Sequence, residues 1–220
     1  MKKDRDGEVD EMAEMLRVDP QHPKGRRIAR GAEVLAQGGV IVYPTDTIYG
    51  LGCDITNKEA VQRITRIKRR DAKKPLSFVC PDLSDVSRYA HVSNFAYRIL
   101  KRCLPGPYTF VLPATRETPR MLQTKQKTVG LRVPDHPVPL ALATELGRPI
   151  ISTSANLTDQ EVPTDPQELQ DILGRQVELI LECGTLPILP SSVISLMDDR
   201  VQILREGQGD LDYFRDLVES

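Results

Sequence analysis

From Arg26 onward the sequence alternates between two hydrophobic periods, and this alternation restricts the chain to folds in which helices pack on a sheet. Arg26–Gln37 carries Ile28, Ala32 and Leu35 at helical spacing and stops at Gly38-Gly39. Val40–Thr45 follows as an apolar run, the pattern of a strand covered on both faces. Asn57 stands where a helix cap belongs, and Lys58–Arg69 places Val61, Ile64 and Ile67 on one side. Further strands are predicted at Leu76–Cys80, Thr109–Ala114, Val129–Val133, Pro149–Ser154, Val177–Cys183, Ser192–Met197 and Val201–Arg205. Helices are predicted at Leu83–Tyr89, Phe95–Cys103, Val138–Leu146, Pro166–Leu173 (led by Asp165) and Leu211–Val218. The interleaving predicts an α/β (mixed α+β) sheet in one layered domain. No fixed-period repeat and no flexible linker divides it, so residues 21–220 read as a single unit. Residues 1–20 are densely charged, and Val9, Met12, Met15 and Leu16 form only a weak stripe. A short helix and a solvated tail both stay open there.

Several function classes are disfavoured by composition. Net charge is −1, so the whole surface has no general attraction for nucleic acid. The absence of Trp and the 5% aromatic content leave few platforms for stacking bases. Apolar stretches such as 39–43 and 177–181 are far too short to span a bilayer. The first ten residues have no apolar core or small-residue cleavage site, so a cytoplasmic protein with no membrane partner is expected. Cys53, Cys80, Cys103 and Cys183 form no Cys-x-x-Cys pair and read as reduced thiols, and His22, His91 and His136 are scattered. No metal site built from the protein's own side chains is therefore expected.

Chemistry-bearing features are few. There is no phosphate-binding Gly-x-x-x-x-Gly-Lys-[Ser/Thr], and Gly50-Leu51-Gly52 is followed by Ile55 where a dinucleotide fingerprint needs glycine, so it reads as a turn. No Gly-x-Ser-x-Gly elbow is present. Arg63, Arg66, Lys68, Arg69, Arg70, Lys73 and Lys74 are opposed only by Asp71. Such a cluster suits a mouth for a di- or triphosphate, and equally a solvated helix face running into a loop. Ile150-Ile151-Ser152-Thr153-Ser154-Ala155-Asn156 and Tyr43-Pro44-Thr45-Asp46-Thr47-Ile48-Tyr49-Gly50 are strands releasing polar side chains at their ends, where ligands bind in open sheets. Loop formation alone explains such residues equally well. Arg132 and Arg205 stand singly at strand ends.

Taken in order, these segments resemble the YrdC/YciO family of L-threonylcarbamoyladenylate synthases. Residues 38–52, from Gly38-Gly39 through Pro44-Thr45-Asp46-Thr47 to Gly50-Leu51-Gly52, are similar to the family's opening block. Lys68-Arg69-Arg70 matches its Lys-x-Arg element, Pro105-Gly106-Pro107 its Pro-Gly-Pro turn, and Gly130-Leu131-Arg132-Val133-Pro134 its arginine strand. Ser154-Ala155-Asn156 matches its Ser-x-Asn element, and Leu204-Arg205-Glu206-Gly207 its closing arginine. The resemblance spans residues 22–209 and is to the short form, without the extra C-terminal domain of longer synthases. Arg132-Val133-Pro134 and Ser152-Thr153-Ser154 lean toward the YciO branch, members of which can lack the Lys-x-Arg and Ser-x-Asn elements that this chain keeps. Two departures are visible: the strand Leu76–Cys80 has no histidine, and Pro190 stands before Ser191-Ser192 where many members have an acidic residue.

The resemblance implies a YrdC-like fold, a twisted mixed β-sheet surrounded by helices with a concave basic pocket. It implies formation of threonylcarbamoyl-AMP and pyrophosphate from L-threonine, bicarbonate (or carbon dioxide) and ATP, with Mg2+ accompanying the ATP. The product would feed the threonylcarbamoyladenosine modification of tRNA through downstream transfer proteins. By family position, Lys68 and Arg70 would be catalytic, and Lys68, Arg70, Lys74, Thr128, Ser154, Asn156 and Arg205 would bind the nucleotide. Thr47, Arg132, Ser152 and Ser191 would hold threonine, Arg132 through the substrate carboxylate. The rival expectations are a double-stranded RNA-binding protein, with tRNA or double-stranded RNA as partner, and a divergent YciO-type nucleotide-binding protein with little synthase activity.

Overall fold

A computed structural model describes residues 11–23, 25–68, 76–157 and 160–218. Arg69, Arg70, Lys73 and Lys74 of the basic run, and residues 1–10, lie outside the described residues. The elements run β1 (Glu14–Arg17), α1 (Arg26–Ala36), β2 (Ile41–Tyr43), β3 (Gly50–Asp54), α2 (Lys58–Ile67), β4 (Ser77–Val79), α3 (Leu83–Tyr89), α4 (Asn94–Cys103) and β5 (Tyr108–Pro113). They continue with β6 (Thr128–Arg132), α5 (Pro137–Leu146), β7 (Ile150–Ser154), α6 (Pro166–Leu173), β8 (Leu179–Glu182), β9 (Ser192–Ser195), β10 (Gln202–Arg205) and α7 (Asp212–Val218). Side-chain oxygens start several helices where the sequence predicts them. Asn57 accepts from the Ala60 amide at 2.9 Å, Asp82 from Ser84 and Asp85, Ser93 from Ala96, and Asp165 from Gln167. Gly147, with φ +72°, ends α5 in a conformation that only glycine adopts without strain.

All ten strands join one mixed sheet in the order β1-β8-β2-β3-β7-β4-β6-β5-β9-β10. Two local expectations change. Glu14–Arg17, within the stretch read as a short helix or a tail, is an edge strand parallel to β8. Its residues alternate as a strand's must, Met15 packing toward one face of the sheet and Leu16 toward the other. Gly50-Leu51-Gly52 is not a turn but the start of β3, antiparallel to β2 and β7. A Cβ on Gly52 would lie 2.6 Å from the Ile151 carbonyl oxygen and 2.7 Å from the Tyr43 ring, so the glycine is there for close strand packing.

The two faces are covered unequally. On one, Leu51, Phe78, Phe110, Leu112, Val129, Leu131 and Ile151 pack with Ile64 of α2, Val86 of α3, Ile99 and Leu100 of α4, Leu169 of α6 and Phe214 of α7. On the other, Ile41, Tyr43, Ile150, Leu179 and Leu181 pack with Ile28 and Leu35 of α1 and Val138 and Leu142 of α5. That second layer covers the β8–β2 side. Beyond it, among the described residues, the face over β7, β4, β6, β5 and β9 carries a cavity and no helix.

Candidate functional site

Period-two alternation builds the cavity floor. Along β6 the buried residues Val129 and Leu131 face the core, while Thr128, Gly130 and Arg132 face the cavity. In β5, Phe110 and Leu112 go inward and Thr109 and Val111 outward, and in β7 Ile151 goes inward and Ser152 and Ser154 outward. Register then aligns small residues across the sheet: Gly52 pairs with Ser152, Ser152 with Ser77, Ser77 with Gly130, and Gly130 with Val111. The Ser77 hydroxyl donates to the Ser152 carbonyl at 2.9 Å and so lies against this floor. The cavity holds about 480 Å³, enough for a nucleotide-sized ligand.

Cations gather at two ends. At the first, Lys68, only 5% exposed, follows α2 and donates to the carbonyls of Ser154 (2.9 Å) and Asn156 (2.6 Å) and to both their side-chain oxygens. Asn156 is fixed in turn through its Nδ2 to the Gln160 carbonyl at 2.6 Å. At the second, the Arg132 Nη2 donates to Asp46 and, at 2.7 Å, to the Thr47 hydroxyl. The Arg205 guanidinium donates to the carbonyl of Ser191 at 2.7 Å, and the Ser191 hydroxyl shares a hydrogen bond with Thr109 at 2.9 Å. Burial, and then the nearby Arg132 charge, lowers the pKa of Arg205, a sign that two like charges share this end. Ser77 pairs with both Ser152 and Gly130, and Ser154 and Arg132 each lie two residues from that row in opposite directions. The two ends are therefore separated by about 13 Å along the strands, at roughly 3.3 Å per residue. The segment between β2 and β3 crosses this span: the Tyr49 carbonyl accepts from Ala155, while Asp46 and Thr47 reach Arg132.

Lys68, Thr128, Arg132, Ser152, Ser154, Asn156, Ser191 and Arg205 all line this one cavity. Thr47 is fully buried and supports Arg132 from outside the lining. Arg70 and Lys74 lie outside the described residues. The basic run itself is divided. Arg63 is buried against Glu178 at 2.5 Å and the Gln176 carbonyl at 2.6 Å, holding α2 to the β8 end, and Arg66 is exposed on α2. Of the described members, Lys68 alone lines the cavity. Sequence reading did not single out Asp46, Ser77 or Thr109. The signal for Ser77 and Thr109 was present, as lone polar residues alternating with large apolar ones in their strands. Asp46 becomes legible only once Arg132 is seen beside it. Among the described residues, no group of three His, Cys, Asp or Glu side chains is placed to hold a metal ion, and no helix is long and apolar enough to cross a membrane.

Comparison with known proteins supplies the context for this geometry. The Sua5/YciO/YrdC family model, described as "Telomere recombination", matches residues 33–207. YciO of Escherichia coli K12, itself described as uncharacterized, is 44% identical over 92% of this chain and 100% of its own length. Its crystal structure superposes with a TM-score of 0.88. A threonylcarbamoyl-AMP synthase of Vibrio vulnificus YJ016 is 38% identical over 68% of this chain and 82% of that protein. The crystal structure of Pyrococcus abyssi Sua5 with L-threonine has a TM-score of 0.86 at 29% identity, covering 93% of this chain and 60% of that one.

Proposed function

This chain belongs to the Sua5/YciO/YrdC family, and we propose that it forms threonylcarbamoyl-AMP and pyrophosphate from L-threonine, bicarbonate and Mg–ATP. The observation that carries the reading is the pairing of two cationic ends on one small-residue floor. The reaction joins two anionic groups, a triphosphate and an amino-acid carbamate, and needs them held apart from each other's charge until they meet in line. Lys68 with Ser154 and Asn156 supports a nucleotide end, and Arg132 supports a carboxylate end. Arg205, expected by family position to bind the nucleotide, sits beside Arg132 and is assigned in this reading to the carboxylate end. The Lys-x-Arg element extends this assignment to Arg70, and the resemblance extends it to Lys74.

In the proposed reaction the threonine amine adds to the carbon of bicarbonate, which loses water to give the carbamate. A carbamate oxygen then attacks the α-phosphorus, and the bond from that phosphorus to the α,β-bridging oxygen breaks, so pyrophosphate leaves with the electron pair. Negative charge grows on oxygens that a fixed cation can stabilise without reorganising. Lys68 is such a cation, because its three N–H groups are already oriented by oxygens of Ser154 and Asn156. The floor of Ser152, Ser77 and Gly130 gives the reacting groups room to approach the sheet. Magnesium would enter as part of the Mg–ATP substrate and would offset phosphate charge. Threonylcarbamoyl-AMP would then pass to proteins that modify tRNA.

The test is pyrophosphate release by the purified chain with ATP, with and without L-threonine and bicarbonate. Release that needs both, together with the mass of threonylcarbamoyl-AMP, supports the reading. No release, or release independent of L-threonine, overturns it.

A further inference from the structure

We propose that Asp46 is a positioning residue that selects which edge of the Arg132 guanidinium is presented to the cavity. Arg132 and Asp46 are both nearly sealed, with side chains 8% and 9% exposed. The Arg132 Nη2 places its hydrogens on Asp46 and Thr47, and its Nε is buried with no acceptor among the described residues. That leaves Nη1 as the remaining guanidinium nitrogen of a residue that lines the cavity. A ligand carboxylate therefore meets one guanidinium nitrogen and must take its second contact from Arg205 or a neighbouring hydroxyl.

Asp46 is set before any ligand arrives. Its other carboxylate oxygen accepts from the Asp135 amide at 3.0 Å, and its backbone carbonyl accepts from Gln208 Nε2 at 3.0 Å. The next residue is held as well, because the Thr47 amide donates to the Thr45 hydroxyl at 3.1 Å. The carboxylate thus comes from a rigid turn tied to the segments after β6 and β10. It also supplies a counter-charge at the end where two arginines converge, so the second guanidinium can stay near the first. Orientation by a buried, bonded neighbour is what lets a binding residue act without rearrangement.

The inference rests on the proposed role of Arg132 toward substrate, but the clamp can be read without substrate. Nitrogen-15 guanidinium spectra of the full chain, with Arg132→Lys to assign the signal, should show two separate Arg132 Nη resonances in the wild type. Asp46→Asn should merge them by freeing rotation about the Nε–Cζ bond. In turnover, Asp46→Asn should raise KM for L-threonine at least about tenfold and leave KM for ATP within about twofold, with Asp46→Glu restoring part of the loss. Merged signals in the wild type, or separate signals that persist in Asp46→Asn, overturn the proposal. So does a threonine KM that is unchanged, that falls, or that moves in step with ATP. A wild type that keeps its clamped signals and releases no pyrophosphate counts against the enzymatic reading and leaves the clamp supported.

Discussion

Lys68 is both a pocket residue and a structural one, and this changes what its removal should do. A head group facing an open pocket predicts Lys68→Ala with an intact fold and no turnover. In the structure the ammonium satisfies two backbone carbonyls and two side-chain oxygens at the end of β7. Lys68→Ala should therefore abolish turnover and also cost about 1–3 kcal/mol, the penalty for stranding buried acceptors. That is readable as about 2–4 °C of Tm per kcal/mol in a chain of this size. An unchanged Tm would show that water replaces the amine. Arg132→Ala leaves Asp46 as a buried charge without its partner, a loss of about 3–5 kcal/mol. Arg132→Ala combined with Asp46→Ala should be less damaging than the sum of the two, and strict additivity in urea denaturation would contradict the pairing. The sequence could place Lys68 and Arg132 because each sits in an ordered motif. It could not pair Arg132 with Asp46, since eighty-six positions separate them and only the fold closes that distance.

Glycines in the strands separate packing from function. Gly52→Ala would push a Cβ against the Ile151 carbonyl and the Tyr43 ring, and should cost about 1–3 kcal/mol through overpacking where β3 meets β7. At Gly130 a Cβ finds its nearest neighbours at 3.5 Å, an ordinary contact, but it lies in the cavity floor. Gly130→Val should leave stability within about 1 kcal/mol, while weakening ATP or threonine binding at least about tenfold, some 1.4 kcal/mol. Equal effects on binding from a surface substitution would argue against the floor. The join between β3 and β7 also carries a pH signature. Burial alone would raise the Asp54 pKa, but hydrogen bonds from Arg148 and Thr56 outweigh it and hold the carboxyl below its ordinary 3.8. A depressed folded-state pKa stabilises the fold above the unfolded value, and the contribution is lost as pH falls through the folded one. Asp54→Asn should thus destabilise the protein near neutral pH, and the gap from wild type should shrink below about pH 3.8. A gap constant down to pH about 2.5 would contradict the assignment. Helix positions were legible from caps and apolar spacing, as at Asn57 and Asp165. The start of β3 was not, because two glycines in three residues look like a turn until Tyr43 is placed over them.

In the whole molecule, the cavity lies where the second helical layer of the described residues stops. Helices α1 and α5 cover the β8–β2 side of the face that carries it, and among the described residues the polar side chains of β7, β4, β6, β5 and β9 line a cavity with no helix over them. The expected mixed sheet with a concave basic pocket is present, and its layers follow from hydrophobic period. Which side would be left open does not, since it depends on where the connections deposit their helices. On the proposed reading one cavity binds a nucleotide's phosphates at one end and an amino-acid carboxylate at the other. The most direct measurement is a crystal structure of this chain with a non-hydrolysable ATP analogue and L-threonine. We expect the nucleotide phosphates against Lys68, Ser154 and Asn156, and the threonine carboxylate against Arg132. Either ligand bound elsewhere, or both competing for the same end, would contradict the account.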